Sequence, residues 1–429
     1  MSVSSAPVAV IAPRSPVATA TVATMAFLVM LGSGVIMPAV RPFLGEQRHF
    51  SEGTLHAFMS VNMLGAAIGA PLAAILADRA RAHRAVCIAL ALLDATLLGA
   101  CTLDLSGPAI LALRACQGAA NVGVLSIVLS SVARDRSTSK PHTTTLGVAG
   151  AGIMLAVALG PAVGGALLRL GTVAPLRAAA ALALVVASIA AGSPTAFDGI
   201  TPRGSRRIDV RTLARDPLFM APALLAFAER FTVGCFVVTF SLYAHDVRHL
   251  SDGETGLHYS LFLLPFALAT YPFARGTERF PRGTMMTVGG VLYGITFLTF
   301  GWTSGVGLGV ALMLAGLSSA MVYGPSLCCV AKVGTGTERA TSMALFHAAG
   351  CLGMLLGPAA AGILSAILRH AGFADPTRYA TVFMVAGAAQ LAAVVALRSP
   401  LRRRREADAA LERAPGASLT MNPQQSTSR

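Results

Sequence analysis

Four charged residues interrupt otherwise uncharged apolar stretches of this 429-residue chain: Asp94, Arg114, Glu229 and Arg230. An arginine keeps its proton in a protein, so Arg114 and Arg230 must find partners or water. A carboxylate in such a setting can take up and release a proton, which is the chemistry of ion-coupled transport. Counting from the ends of their stretches, Arg114 lies about 9 Å and Asp94 about 14 Å below one boundary, at about 1.5 Å per helical residue. Those depths allow a salt bridge or a water-mediated contact, and a static pair between helices explains them equally well. Glu229 and Arg230 are adjacent, and neighbouring helical residues point about 100° apart. Glu229 is expected to face a cavity as a proton-exchanging carboxylate, with Arg230 as its structural partner or a binder of anionic solute. A buried pair with other helices is the alternative. Asn62, Gln117, Asn121 and His347 are candidates to line the same cavity, although such groups also serve as hydrogen-bonded glue between membrane helices.

The elements that must position these residues are membrane spans. Charged residues make up 12% of the chain and hydrophobic ones 55%, with a mean hydropathy of +0.68. A soluble domain carries about 25% charged residues. Uncharged runs long enough to cross a bilayer fall near 17–40, 54–77, 85–103, 108–133, 143–168, 178–195, 218–244, 256–274, 340–368 and 379–397. The stretch from Arg282 to Lys332 holds two more, with Gly301-Trp302-Thr303-Ser304-Gly305 as the turn between them. Twelve helices are therefore expected in an all-α membrane protein, as two pseudo-symmetric six-helix bundles. The predicted organisation is a cytoplasmic N-terminal tail (1–16), a first bundle (17–195), a cytoplasmic linker (196–217), a second bundle (218–397) and a basic, disordered cytoplasmic tail (398–429). The first run exceeds the length of a signal-peptide core and reads as a retained span.

The formal charge of +14 comes from arginines spread over short connections. No aromatic-interleaved basic patch exists to stack bases, which argues against nucleic acid. Most of these arginines fall on the side of the N-terminus, so both termini are expected in the cytoplasm. All seven cysteines lie in apolar runs and read as packing residues, with no metal site and no disulfide framework.

The two halves repeat. Ala77-Asp78-Arg79 is echoed 200 positions later by Thr277-Glu278-Arg279. Gly160-Pro161 and Gly165 are echoed 197 positions later by Gly357-Pro358 and Gly362. Parallel repeats of this kind build transporters whose substrate site lies between the repeats near the bilayer midplane. Ala156, Gly160 and Gly164, four apart, allow a neighbouring backbone to approach closely, and Pro161 removes a helix hydrogen bond.

Three local patterns resemble the major facilitator superfamily, over about 17 to 397. The loop Ala74-Ile75-Leu76-Ala77-Asp78-Arg79-Ala80-Arg81-Ala82-His83-Arg84 is similar to the family's motif between spans two and three, with Ala74 and Arg81 where glycines are usual. The resemblance implies a gating role for Asp78, Arg79 and Arg84, and for Glu278 and Arg279 in the repeat. A carboxylate there could sit at a helix N-terminus across the bundle. Arg114-Ala115-Cys116-Gln117-Gly118 is similar to the family's RxxQG pattern, which implies a part for Arg114 in proton or substrate coupling. Gly147 with Gly160-Pro161-Ala162-Val163-Gly164-Gly165 resembles the pattern of the family's drug–proton antiporters.

The resulting expectation is proton-coupled efflux of a small drug-like molecule or metabolite by alternating access, from a bacterial inner membrane. Proton symport or facilitated uptake is the alternative, and a membrane sensor without transport comes third. No HExxH, GxSxG or GxxxxGK[ST] pattern occurs. An enzyme, a cofactor, a bound metal and ATP are not expected. The expected partners are the solute, protons and membrane lipid.

Overall fold

The computed structural model describes residues 16–133, 143–197, 216–330 and 337–397. The predicted tails and most of the linker lie outside the described residues. Among these described residues, twelve helices are long and apolar enough to cross a membrane. They are α1 (Pro16–Val35), α2 (Glu52–Ala80), α3 (His83–Cys101), α4 (Gly107–Ala133), α5 (Thr143–Leu167) and α6 (Ala174–Gly192), then α7 (Pro217–Asp246), α8 (Asp252–Gly276), α9 (Arg282–Thr299), α10 (Val306–Val330), α11 (Thr337–His370) and α12 (Asp375–Ala396). The helices follow the uncharged runs closely. The first span differs, because 3₁₀ and π-helical turns (Met37–Ala39 and Val40–Gln47) continue it past Arg41. The turn at 301–305 is present: Phe300–Trp302 closes α9 and Gly305 takes φ 52° before α10.

Packing repeats between the halves. The pairs α1–α5, α2–α4, α3–α6 and α1–α6 have counterparts in α7–α11, α8–α10, α9–α12 and α7–α12. The two bundles are thus copies of one arrangement. Close backbone approach explains the glycine pattern. A Cβ on Gly160 would lie 2.6 Å from the Cα of Gly34 in α1, and one on Gly164 would lie 2.1 Å from the Val35 carbonyl oxygen. In the second half, a Cβ on Gly234 would stand 2.8 Å from the Pro358 ring and 3.2 Å from the Gly357 Cα. With no hydrophobic drive between helices in lipid, such contact is what holds them. Leu72, Leu268, Ile363 and Val395 are exposed large apolar side chains, as a protein solvated by lipid can carry.

Among the described residues, the second half has a continuous aromatic core, in which Phe236 meets Phe240 at 4.9 Å and Phe300 meets Phe383 at 4.9 Å between ring centroids.

Contacts between the halves run along two seams, α5–α8 and α2–α11. They gather at the end bearing the α1–α2, α5–α6, α7–α8 and α11–α12 connections. There Gly165 abuts Gly256, and Gly362 packs on the His56 ring. Deeper in, the Ser260 hydroxyl donates to the Ala158 carbonyl at 2.7 Å. The Glu52 carboxylate of α2 accepts from both Arg378 Nη atoms at 3.0 Å, from Ser365 at 3.2 Å and from Tyr379 at 3.3 Å, and it also pairs with Arg369. Arg41 pairs with Asp246, which accepts from Tyr379 at 2.9 Å. This end of the molecule is latched.

Candidate functional site

Asp94 in α3 is buried among helices of the first bundle. Its two oxygens accept from Gln117 Nε2 at 2.6 Å and Asn121 Nδ2 at 3.0 Å, both from α4. Gln117 Oε1 accepts in turn from Asn62 of α2 at 2.9 Å and from Arg114. Asn121 Oδ1 accepts from Ser33 of α1 at 3.0 Å. Arg114 therefore reaches Asp94 through the Gln117 amide, a third outcome beside the expected salt bridge or water bridge. The Arg114 guanidinium also lies over the Phe58 ring at 4.8 Å. Gly118 makes the knot possible. A Cβ there would fall 2.1 Å from the Asn62 carbonyl and 2.8 Å from its amide nitrogen, driving α2 from α4. A narrow cavity lined by Asp94, Gln117, Asn121, Val29 and Val186 opens beside the carboxylate.

The second bundle holds its carboxylate on a different helix. Glu229 of α7 has no exposed surface and accepts a hydrogen bond from Ser319 of α10. Its other oxygen stands 3.3 Å from Arg230 Nε. The expectation that Glu229 faces a cavity is corrected here, because Arg230 is the exposed member of the pair at 20%. The reason is local: Ser319 and the packing of α10 enclose the carboxylate, while the next residue turns toward α8 and α11. There the Arg230 guanidinium lies between the rings of Phe266 at 5.2 Å and Tyr323 at 4.7 Å. His347 on α11 is exposed and meets Phe346 at 5.8 Å.

The loop after α2 engages its own half. Asp78 meets His83, the first residue of α3, at 2.9 Å. Arg84 donates to the carbonyls of Ala190, at 3.0 Å, and Ala191, at the end of α6, where the helix dipole favours a cation. Arg79, Glu278 and Arg279 are exposed at their turns. Gly147 lies in the first turns of α5. Among the described residues, no group of three His, Cys, Asp or Glu could hold a metal ion.

A family model described as the Major Facilitator Superfamily matches the chain twice, over residues 22–226 and 222–423, once for each bundle. The chain belongs to the major facilitator superfamily. It is a multi-pass membrane transporter that works by alternating access, and not an enzyme. Among solved structures, the nucleoside transporter NupG is 14% identical with a TM-score of 0.75, over 89% of this chain and 99% of that one. A bacterial homolog of the human lysosomal transporter Spinster, inward-facing and occupied, is 16% identical with a TM-score of 0.72, over 93% and 98%. The human organic anion transporter MFSD10 (TETRAN) is 20% identical with a TM-score of 0.64, over 90% and 100%. At these identities the likeness is one of fold. Comparison with curated protein sequences returned no match.

Sequence reasoning passed over the latch. Arg48-His49-Phe50-Ser51-Glu52-Gly53 recurs as Arg248-His249-Leu250-Ser251-Asp252-Gly253, again 200 positions on. Both copies build the same corner. His49 and His249 take φ 55° and 52°, and Ser51 and Ser251 cap α2 and α8. Arg48 and Arg248 bind the carbonyls of Thr102 and Thr303, respectively, in the adjoining connections. The repeated hexapeptide is the signal that could have found this end.

Proposed function

We propose that this superfamily member exports a small organic solute in exchange for protons, with Asp94 as the coupling carboxylate. The observation that carries the reading is the set of partners around Asp94. Its contacts are neutral amides, which can turn to offer an acceptor when the carboxylate gains a proton. Glu229 differs, because protonating it would leave the adjacent Arg230 without its counter-charge. Glu229 is therefore the fixed counter-ion, and Asp94 the group that cycles.

The step from proton to motion runs through Gln117. That amide bridges Asp94 to Asn62 on α2, and α2 is the helix seamed to α11 of the other half. A change of charge at Asp94 thus bears on a helix that must move. Export is supported by the α5 pattern that resembles drug–proton antiporters, and by α5 packing against α1 and α8 through Gly160, Gly164 and Gly165. With the termini in the cytoplasm, the latched end faces outward and solute enters from the opposite end.

The test begins with cells lacking or overexpressing the protein, compared across a compound panel. A compound that accumulates in the deletion strain is then loaded into proteoliposomes with a lumenal pH dye. An outward gradient of that compound is expected to drive protons inward, and Asp94→Asn to abolish the proton movement while solute exchange continues. Protons moving with the solute, or full coupling in Asp94→Asn, would overturn the proposal.

A further inference from the structure

Four charged side chains sit near mid-span, and three of them are shut away: Glu229 is 0% exposed, Arg114 2% and Asp94 4%. Arg230 keeps 20% of its side-chain surface open. A cation at this depth does not face lipid tails; it faces a bundle interior or a water-filled space. The neighbouring elements identify that space. Arg230 lies on α7 against α8 and α11, the two helices seamed to the other half. Met154 of α5, from that other half, packs on the cluster containing Phe266, Tyr323 and Phe346. The open side of Arg230 therefore faces the junction between the bundles.

The guanidinium is fixed on all but one side. Its faces lie against Phe266 and Tyr323, and its Nε is directed at Glu229. Its stem packs on α11, where a Cβ on Gly353 would come 3.0 Å from the Arg230 Cβ. What remains is the outer edge of a planar fork, whose paired N–H groups match a carboxylate or sulfonate bidentately. The polar groups around that edge are the Tyr323 hydroxyl, which interacts with the guanidinium, and the exposed His347 imidazole. Both can donate. The nearest carboxylate, Glu229, is enclosed and presents no acceptor to the cavity. Met154, only partly buried against this cluster, supplies apolar surface for the rest of a solute.

We infer that Arg230, with Tyr323 and His347, forms a binding site for an amphipathic organic anion, whose carboxylate or sulfonate docks on the guanidinium edge. This rests on the transport reading above, in which the cavity holds the transported solute. A cationic solute would meet the fixed charge of the guanidinium here, so the site selects by charge as well as by shape.

The test uses the purified full-length protein and three probes that share one ring system: 1-naphthoate, 1-naphthamide and 1-naphthylmethylammonium. Equilibrium dialysis reads their affinities directly, independent of direction and proton coupling, so failure of the transport proposal leaves this result standing. Naphthoate is expected to bind at least about tenfold more tightly than the amide, the scale of one charge-assisted hydrogen bond, with the ammonium weakest. The charge-neutral double variant Glu229→Gln/Arg230→Gln is expected to erase the preference while keeping the amide affinity. If that variant does not fold, Arg230→Lys, which keeps the charge but loses the fork, must still weaken naphthoate at least threefold. Equal or weaker binding of naphthoate relative to the other probes, including no binding by any, overturns the inference. So does an undiminished preference in the folded variants.

Discussion

Glu52→Gln is expected to loosen the latched end without unfolding either bundle. In the latched state the Glu52 carboxylate takes two hydrogen bonds from Arg378, at 3.0 Å each, with further contacts from Arg369, Ser365 and Tyr379. Arg369 is half exposed, so solvent screens its share and little is counted for it. Arg378 is only 2% exposed, and its bidentate bond is the part that matters. Asp375 also pairs with Arg378, at 2.8 Å, but both belong to α12 and move together. That pair persists whichever end is open and drops out of the difference. Glutamine keeps one acceptor and loses the charge and the second acceptor, a change of about 2 kcal/mol. The ratio of open to closed at this end then rises about 30-fold. Spin labels at positions 103 and 373, both exposed and on opposite halves, report the separation by double electron–electron resonance. A longer-distance population is expected in Glu52→Gln. Asp104→Asn is the control, because the Arg48–Asp104 pair lies within one half and Asp104 is 99% exposed. A distance distribution unchanged in folded Glu52→Gln, or one that shifts equally in the control, would refute the reasoning.

Gly160→Val places a Cβ 2.6 Å from the Gly34 Cα, and the melting temperature in detergent should fall by the equivalent of about 1–3 kcal/mol or more. Gly150→Ala in the same helix meets nothing within 4 Å and should not lower it. Gln117→Leu removes the donor to Asp94 and the acceptor for Asn62 and Arg114. Each buried group left unmatched costs about 1–3 kcal/mol, so both thermal stability and proton movement should drop, whereas Asp94→Asn should lose the second alone. Arg84→Gln weakens the clamp on the α6 carbonyls and should cost about 1 kcal/mol, read in the same melting assay.

The spans were legible because a bilayer imposes a length and excludes charge, and both are visible in one dimension. Duplication was legible for the same reason: Gly160-Pro161 and Gly357-Pro358 are backbone demands that each half meets independently. Partner choice was not. Nothing along the chain says that Gln117 stands between Arg114 and Asp94, since that depends on how α4 rotates against α3. The Glu229–Arg230 pair shows the limit most clearly. Helical geometry states that one residue turns inward and the other aside, but which one is decided by Ser319 on α10 and by two rings on α8 and α10. The latch was hidden differently, in short connections whose arginines read as topology signals. Arg378 looked like one more loop charge, yet it is nearly fully buried between the halves.

Joining the two proposals yields one more prediction, which neither makes alone. With both carboxylates ionised, Asp94, Glu229, Arg114 and Arg230 sum to zero formal charge. An anionic solute on Arg230 then makes the loaded carrier negative, whereas protonated Asp94 makes the returning carrier positive. Both half-cycles therefore move charge in the direction that an inside-negative membrane favours for export. Each elementary charge gains about 2.3 kcal/mol per 100 mV. Two charges per cycle gain about 4.6 kcal/mol, enough to shift the equilibrium solute ratio roughly 2,000-fold. A potassium diffusion potential imposed on proteoliposomes measures this at constant pH. A neutral solute exchanged for one proton would show half that slope in the logarithm of the ratio, leaving the antiport proposal intact and removing the anion site. A ratio indifferent to voltage would remove their combination, because a proton entering as an anion leaves cannot be electrically silent.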